Sequence, residues 1–114
     1  LENNEWRFTT QIIKPSVRTI SATMPTKNSI RLTGNIDNLG TYEPTVRGFE
    51  IGLDANYGRK TNNTPESGVI PLGQYIANIK NLACGTTYNY RSYVESPAGI
   101  GYGNNQTFST ASCN

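Results

Sequence analysis

Histidine is absent from this 114-residue chain, and charged residues make up only 16% of it. Histidine is the commonest general base and a frequent metal ligand, so serine–histidine and cysteine–histidine catalysis are excluded. The ten Lys and Arg residues are scattered and the formal net charge is +2, so no basic stripe for nucleic acid is present. No apolar run approaches the roughly 20 residues that span a bilayer. We therefore expect neither a nucleic-acid partner nor membrane insertion.

The remaining polar residues do not form a recognisable catalytic or metal-binding pattern. Eight carboxylates are spread along the chain, and nothing in their spacing brings two of them to one cleft. Residues 54–58 resemble the start of a calcium loop, but Arg59 and Pro65 occupy the positions of its glycine and final glutamate. Glu50 is expected to form an exposed ion pair with Arg91. We expect no enzymatic activity, no metal and no cofactor.

Short segments of alternating polar and apolar residues recur along the chain and predict six or seven strands and no helix. They cover residues 17–23, 29–37, 46–53, 74–80 and 88–94, with a last strand around Phe108. Gly, Pro and Asn mark turns at residues 38–40, 56–58, 71–73 and 96–99, and residues 59–68 are predicted to be the longest mobile loop. The residues predicted to face the core are Ile30, Leu32, Gly34, Ile36, Phe49, Ile51, Leu53, Tyr75, Ala77, Ile79, Tyr88, Tyr90, Ser92 and Val94.

The most informative segment is residues 82–110, LACGTTYNYRSYVESPAGIGYGNNQTFST. Leu82, a small turn and then Tyr88 at the start of an alternating strand have the layout of a tyrosine corner. In that arrangement a phenol oxygen satisfies backbone that would otherwise be unpaired where the chain changes sheets. The pattern predicts an architecture more firmly than a function.

Leu82, Gly85, Thr86 and Tyr88, followed by the turn at 99–103 and Phe108-Ser109-Thr110, resemble a fibronectin type III domain. The resemblance spans about residues 15–110 and is greatest to bacterial members. Bacterial members usually have proline at the position of Cys84, and animal members usually have tryptophan near Gly34. The resemblance implies an all-β, seven-stranded, antiparallel immunoglobulin-like β-sandwich. It is evidence for fold rather than activity.

A short internal echo bears on domain organisation. Trp6-Arg7-Phe8-Thr9-Thr10 resembles residues 106–110, and the two phenylalanines are 100 positions apart, which is about the length of one such domain. We predict that residues 1–14 are the tail of a preceding tandem repeat plus a linker, and that residues 15–114 are the domain. Chance similarity in a threonine-rich chain is the alternative.

The two cysteines, Cys84 and Cys113, flank the hairpin. Folding it at Ala98 and Gly99 places them opposite each other, which predicts a disulfide worth roughly 3 to 4 kcal/mol. The same register would set Tyr88 opposite Ser109, so either a bulge intervenes or the cysteines lie outside the strand pairing. A disulfide indicates an oxidising, extracellular setting, whereas two unrelated thiols in a reduced protein are the alternative.

Three tyrosines, Tyr42, Tyr57 and Tyr102, lie in predicted loops and are candidate ligand-facing aromatics, with packing on their own turns as the alternative. We predict a non-catalytic extracellular or cell-surface module of a larger modular protein, acting as a spacer or as a protein-binding or adhesion unit. Its expected partners are neighbouring domains of the same chain, another surface protein or a glycan. The alternative function is a carbohydrate-binding accessory domain of a secreted polysaccharide-degrading enzyme.

Overall fold

The computed structural model describes residues 12–113, and within them every regular element is a β-strand. The alternating segments and turn residues of the sequence account for this, since β-branched and aromatic residues fit a pleated, half-buried surface. The strands are β1 (Ser16–Thr23), β2 (Ile30–Asn38), β3 (Val46–Gly52), β4 (Gly58–Lys60), β5 (Gly73–Ile79), β6 (Thr87–Ser96), β7 (Gly99–Tyr102) and β8 (Gln106–Ser109).

These strands form two antiparallel sheets. One has the order β1-β2-β5, and the other has the order β4-β3-β6-β7 with β8 also paired to β6. Because β7 and β8 follow each other along the same side of β6, they are two parts of one interrupted strand. Counted in this way the sandwich has seven strands, which confirms the predicted fold class.

The core lies between the two sheets and follows the predicted alternation. In β2, for example, the burial of side chains alternates from Ile30 to Ile36. Leu53 is the exception among the predicted core residues, because it is 69% exposed. The strand β3 ends at Gly52, and Leu53 lies in the turn beyond it, where the period of two no longer determines which side a residue faces.

Tyr75 fills the space in front of Gly34, the position near which animal fibronectin type III domains usually carry tryptophan. The two residues are partners in the β2–β5 pairing, and a Cβ at Gly34 would lie 3.1 Å from the Tyr75 ring. The Tyr75 hydroxyl lies 2.8 Å from the carbonyl oxygen of Gly48 in the opposite sheet. Burial raises the pKa of Tyr75 well above its ordinary value. A tyrosine from β5 therefore joins the two sheets where the tryptophan is missing.

A buried pair of hydroxyls connects β1 to β6. Thr19 Oγ1 lies 3.1 Å from Ser92 Oγ and accepts the Ser92 backbone N–H at 3.0 Å. The Gln106 side-chain amide donates to the Thr19 carbonyl at 3.0 Å. Gly103 lies directly against this group, and a Cβ there would collide with both hydroxyls. Any side chain at position 103, between β7 and β8, would therefore have to displace these two hydroxyls.

The β6–β7 hairpin turns one residue earlier than the sequence analysis predicted. Ser96 pairs with Gly99, so the turn is centred on Pro97 and Ala98 rather than on Ala98 and Gly99. Gly99 has a φ of 134°, a backbone conformation that glycine adopts far more readily than other residues.

An extra residue between β7 and β8 then changes the register of the second half of the hairpin. Tyr88 pairs with Phe108 rather than with Ser109, and the two rings stack with centroids 5.4 Å apart. The N–H of Gly103 donates to the Ser92 carbonyl at 2.8 Å within this bulge. Both alternatives raised by the sequence therefore apply, because a bulge intervenes and the cysteines lie beyond the ladder.

The segment predicted to be the longest loop is in part a continuation of the sheet. Its first residues form β4, which pairs with β3. Beyond β4, the N–H of Thr61 donates to the Phe49 carbonyl at 2.8 Å and that of Asn63 donates to the Arg47 carbonyl at 2.7 Å. A composition rich in Asn and Thr therefore did not distinguish a loop from an irregular edge strand.

The chain enters and leaves the sandwich at opposite ends. At entry, Ile13 donates its N–H to Thr41 Oγ1 and accepts the Thr41 N–H, at 2.6 and 2.9 Å. At exit, Ala111 donates its N–H to the Thr26 carbonyl at 2.9 Å, beyond the far end of β1. The last predicted linker residues are thus hydrogen-bonded to the domain. The predicted tail of a preceding repeat lies outside the described residues and remains a prediction.

Candidate interaction surface

The outer face of the sheet that contains β3, β4 and β6 carries a cluster of aromatic and charged side chains. Antiparallel pairing sets Glu50 of β3 opposite both Arg91 of β6 and Lys60 of β4, and sets Tyr93 of β6 opposite Tyr102 of β7. Facing residues in antiparallel strands share one side of the sheet. The register therefore gathers residues far apart in sequence onto one surface, which we call the Arg91 surface.

Arg91 is the centre of this surface. Its guanidinium bonds Glu50 Oε1 through Nη2 at 2.7 Å and Nε at 2.8 Å. It also lies 3.7 Å from the ring centroid of Tyr102 and 4.7 Å from that of Tyr57, within the range of cation–π attraction. The Glu50 and Arg91 side chains are only 15% and 28% exposed, so the pair is less exposed than the sequence predicted.

The β3–β4 turn positions Tyr57. The Asp54 carboxylate accepts the Asn56 N–H at 2.8 Å, which is the geometry of an Asx turn rather than of a calcium ligand. Tyr57 itself has a φ of 61°, and its hydroxyl donates to Asn105 Oδ1 at 2.7 Å. Partial burial raises the pKa of Tyr57. The turn and this hydrogen bond together hold the ring beside Arg91.

Lys60 forms a second cation–aromatic contact on the same surface. Its amine lies 4.5 Å from the ring centroid of Tyr93 and 2.7 Å from Glu95 Oε2. The hydrogen bond to Glu95 is the main reason that the pKa of Lys60 is raised. The Tyr93 hydroxyl donates to the Thr61 carbonyl, which fixes the ring. These contacts rigidify the surface next to the turn.

A shallow, open cleft of about 410 Å³ adjoins these residues. It is lined by one carboxylate, three cations and a tyrosine, together with small residues of the β3–β4 turn: Glu50, Ala55, Asn56, Tyr57, Gly58, Arg59, Lys60 and Arg91. The lining combines a flat ring with hydrogen-bond donors, which is a composition suited to recognising a polar partner rather than to enclosing an apolar ligand.

The structure brings together two of the three candidate tyrosines. Tyr57 and Tyr102 both contact Arg91, and Tyr102 is 43% exposed. Tyr42 is 45% exposed but lies before β3, whereas Tyr57 follows it, so the length of that strand separates them. Arg91 was not predicted to organise the site, although its predicted ion pair with Glu50 was a signal that pointed to it.

The residues predicted to stabilise the fold lie at the end of the domain where the chain exits. The Tyr88 hydroxyl accepts the N–H of Ala83 at 2.8 Å, one residue after buried Leu82. Cys84 and Cys113 form a disulfide. Next to it, the N–H of Gly85 donates to the Ala111 carbonyl at 2.7 Å. The disulfide therefore closes a hairpin whose ends already meet.

Among residues 12–113, no group of three or more acidic or cysteine side chains is arranged to hold a metal ion. No helix in the same part of the chain is long and apolar enough to cross a membrane.

No protein-family model and no curated protein matches this chain. Solved structures do match it. The sensor domain of the anti-sigma factor RsgI4 from Pseudobacteroides cellulosolvens is 18% identical, with a TM-score of 0.65 over 86% of this chain and 95% of that one. The fourth FNIII domain of a human protein is 18% identical, with a TM-score of 0.64 over 98% of this chain and 92% of that one. The fibronectin type III domain of human KIAA0970 is 17% identical, with a TM-score of 0.54 over 90% and 74%.

At these identities the similarity establishes the fold alone. The chain is a fibronectin type III-like β-sandwich.

Proposed function

We propose that this domain is a non-catalytic spacer and interaction module of a larger extracellular protein. The observation that carries the proposal is that the chain is tied to the sandwich at both of its opposite ends. Ile13 is hydrogen-bonded to Thr41 at entry, and Cys113 is covalently bonded to Cys84 at exit. A domain tied in this way holds the segments that enter and leave it at a fixed separation.

The disulfide supports an extracellular location. Disulfides persist in oxidising compartments and are rare in the cytosol, where thiols are kept reduced. The similarity to a sensor domain of an anti-sigma factor and to fibronectin type III domains supports a role in contact or signalling rather than in chemistry, although a shared fold does not by itself specify a function.

Thiol trapping in the intact cells that produce the parent protein tests this location. We expect an antibody to the domain to label the cell surface or the medium, and Cys84 and Cys113 to react with a maleimide only after reduction. A protein that is retained in the cytosol with both thiols reactive would contradict the proposal. The exposed residue Lys27 provides a control, because its amine should react with a membrane-impermeant biotinylation reagent both before and after reduction of the disulfide.

Glycan binding is the second candidate function, and the Arg91 surface is the observation that favours it. Tyr57 and Tyr102 flank one guanidinium, and an adjoining cleft presents Asn56 and Lys60. Tyrosine rings stack on sugar rings while polar groups bond to the hydroxyls.

A glycan array on the isolated domain distinguishes the two functions. Binding that is lost with Tyr57→Ala or Tyr102→Ala but retained with Tyr42→Ala would favour an accessory carbohydrate-binding domain. The absence of binding to every glycan on the array, together with the extracellular location above, would leave the spacer role.

A further inference from the structure

One edge of the three-stranded sheet is regular and unprotected. β5 pairs with β2 through seven consecutive partners without a register shift, from Ile79 opposite Ile30 to Gly73 opposite Ile36. Within residues 12–113, β2 is the sole strand that pairs with β5, and no backbone hydrogen bond joins its other edge to a described residue. An edge of this kind presents unpaired N–H and C=O groups that can template another strand.

The edge strands β4 and β1 are protected by features that β5 lacks. β4 is only three residues long and carries Arg59 and Lys60. β1 has two register shifts, and the Gln106 side chain already occupies the Thr19 carbonyl. Short length, charge, bulges and covering segments are the usual ways in which an edge strand is blunted.

β5 has none of these protections. Its sequence, GQYIANI, has no charged residue and no proline. Along its exposed face, Ile76 is 53% exposed and is flanked by the exposed amides Gln74 and Asn78. An uncharged strand with an exposed β-branched residue at its centre has the composition that favours strand pairing.

We propose that two copies of this chain associate by antiparallel pairing of their β5 strands, with Ile76 opposite Ile76 of the second copy. The order of residues in β5 is self-complementary about this position. In this register Gln74 lies opposite Asn78, so the two amides can hydrogen-bond, and the aromatic residue Tyr75 lies opposite Ala77. The pairing joins two three-stranded sheets into one continuous sheet of six strands.

The charges around β5 are compatible with this register. Arg31 of β2 is directed at Asn78 of its own sheet at 3.4 Å, and Lys80, just past β5, would lie opposite the apolar residue Leu72. No like charges are therefore placed opposite each other, which would otherwise destabilise the pair. Because the two-fold arrangement uses the same edge on both copies, it closes as a dimer and does not propagate into a fibre.

A single seven-residue strand pair buries less than the roughly 1,200–2,000 Å² that is typical of stable interfaces. The dimer is therefore weak, and it forms when copies are concentrated, for example on a surface. This makes strand pairing a contact between neighbouring molecules rather than a condition for folding.

Sedimentation velocity on the full chain, from about 10 μM to about 1 mM, tests the proposal. The weight-average sedimentation coefficient should rise with concentration. Ile76→Lys places two ammonium groups opposite each other and should weaken association at least tenfold. Leu53→Lys changes another exposed apolar residue, at the β3–β4 turn, and should associate like the unchanged chain. A chain that stays monomeric throughout, or an Ile76→Lys variant that associates normally, overturns the proposal.

Oxidative cross-linking tests the register. Facing residues in an antiparallel pair have Cβ atoms about 4.5–5.5 Å apart, near the reach of a disulfide. Ile76→Cys should therefore form a covalent dimer under mild oxidation. Gln74→Cys, which faces Asn78 rather than itself, should cross-link at least tenfold more slowly. Equal rates for the two variants, or no cross-linking of Ile76→Cys, would overturn the proposed pairing. Circular dichroism confirms that each exposed-site variant is folded.

Discussion

Removal of the disulfide tests how far the closed hairpin stabilises the domain. Cys84 and Cys113 are 29 positions apart. Closing a loop of that size removes roughly 12 cal/mol/K of entropy from the unfolded chain, or about 3.6 kcal/mol at 25 °C. We therefore expect Cys84→Ala with Cys113→Ala to lower the free energy of unfolding by about 3–4 kcal/mol.

The variant should still fold, because hydrogen bonds beyond β8 hold the same ends together. Gly85 donates to Ala111 at 2.7 Å, and Thr110 donates to Thr86 at 3.0 Å. The native ladder therefore reaches almost to the cysteines, and the disulfide acts mainly on the unfolded chain rather than on the folded one.

Urea unfolding followed by tyrosine fluorescence measures this effect. With a urea dependence of about 1–2 kcal/mol per molar, the midpoint should fall by about 2–4 M. The unchanged chain in reductant should match the double variant, and Ser112→Ala at the exposed neighbouring position should match the oxidised chain. A loss below about 1 kcal/mol would refute the entropic account. Failure of the variant to fold would refute the claim that the ladder holds the ends without the bond.

The remaining predictions use the same unfolding assay. Tyr88→Phe removes the acceptor for the Ala83 N–H while keeping the ring, and should cost about 1 kcal/mol; no loss would mean that water replaces the hydroxyl fully. Burial raises the pKa of Tyr90 to about 12. The unfolded phenol ionises near pH 10 while the folded one stays neutral, so the contribution of Tyr90 to stability is constant below about pH 9. Between about pH 10 and 12, Tyr90 alone should cost about 1.4 kcal/mol per pH unit. Tyr90→Phe should reduce this slope by that amount, and an unchanged slope would contradict the assignment. Gly103→Ala should cost about 1–3 kcal/mol through collision with the buried hydroxyls, whereas the exposed neighbour Asn104→Ala should be neutral; equal effects would contradict the packing argument.

The fold could be predicted from the sequence because strand periodicity and burial agree along most of the chain. The alternation around Leu32, Tyr75 and Tyr90 placed those side chains in the core, where the structure has them. Leu53 was assigned to the core wrongly because an alternating pattern does not indicate where a strand ends. The end of β3 is determined by the turn, which depends on contacts of Asp54 and Tyr57 that periodicity does not report.

The hairpin shows a different limit. Its two ends and its disulfide were predicted, but the turn was placed one residue late. The structure has an early turn and a later bulge at Gly103. The bulge sets Tyr88 opposite Phe108, so that both aromatic residues lie on the core side, which supplies the physical reason for the shift in register.

The Arg91 surface could be predicted only in part. The pairing of Glu50 with Arg91 followed from neighbouring strands, but the contacts of Arg91 with Tyr57 and Tyr102 depend on long-range register and on one turn. The hydrogen bond from Tyr57 to Asn105 spans 48 positions, and no local pattern indicates it.

The central claim is that the domain holds its two ends at a fixed separation. Spin labels attached through unnatural amino acids at Lys14 and Ser112 leave the disulfide intact, and double electron–electron resonance then gives the distribution of distances between them. The eight residues of β1 and the flanking segments, at about 3.3 Å per residue, predict one narrow peak at about 30–40 Å. A broad distribution, or a peak below about 20 Å, would contradict the account of the domain as a rigid spacer.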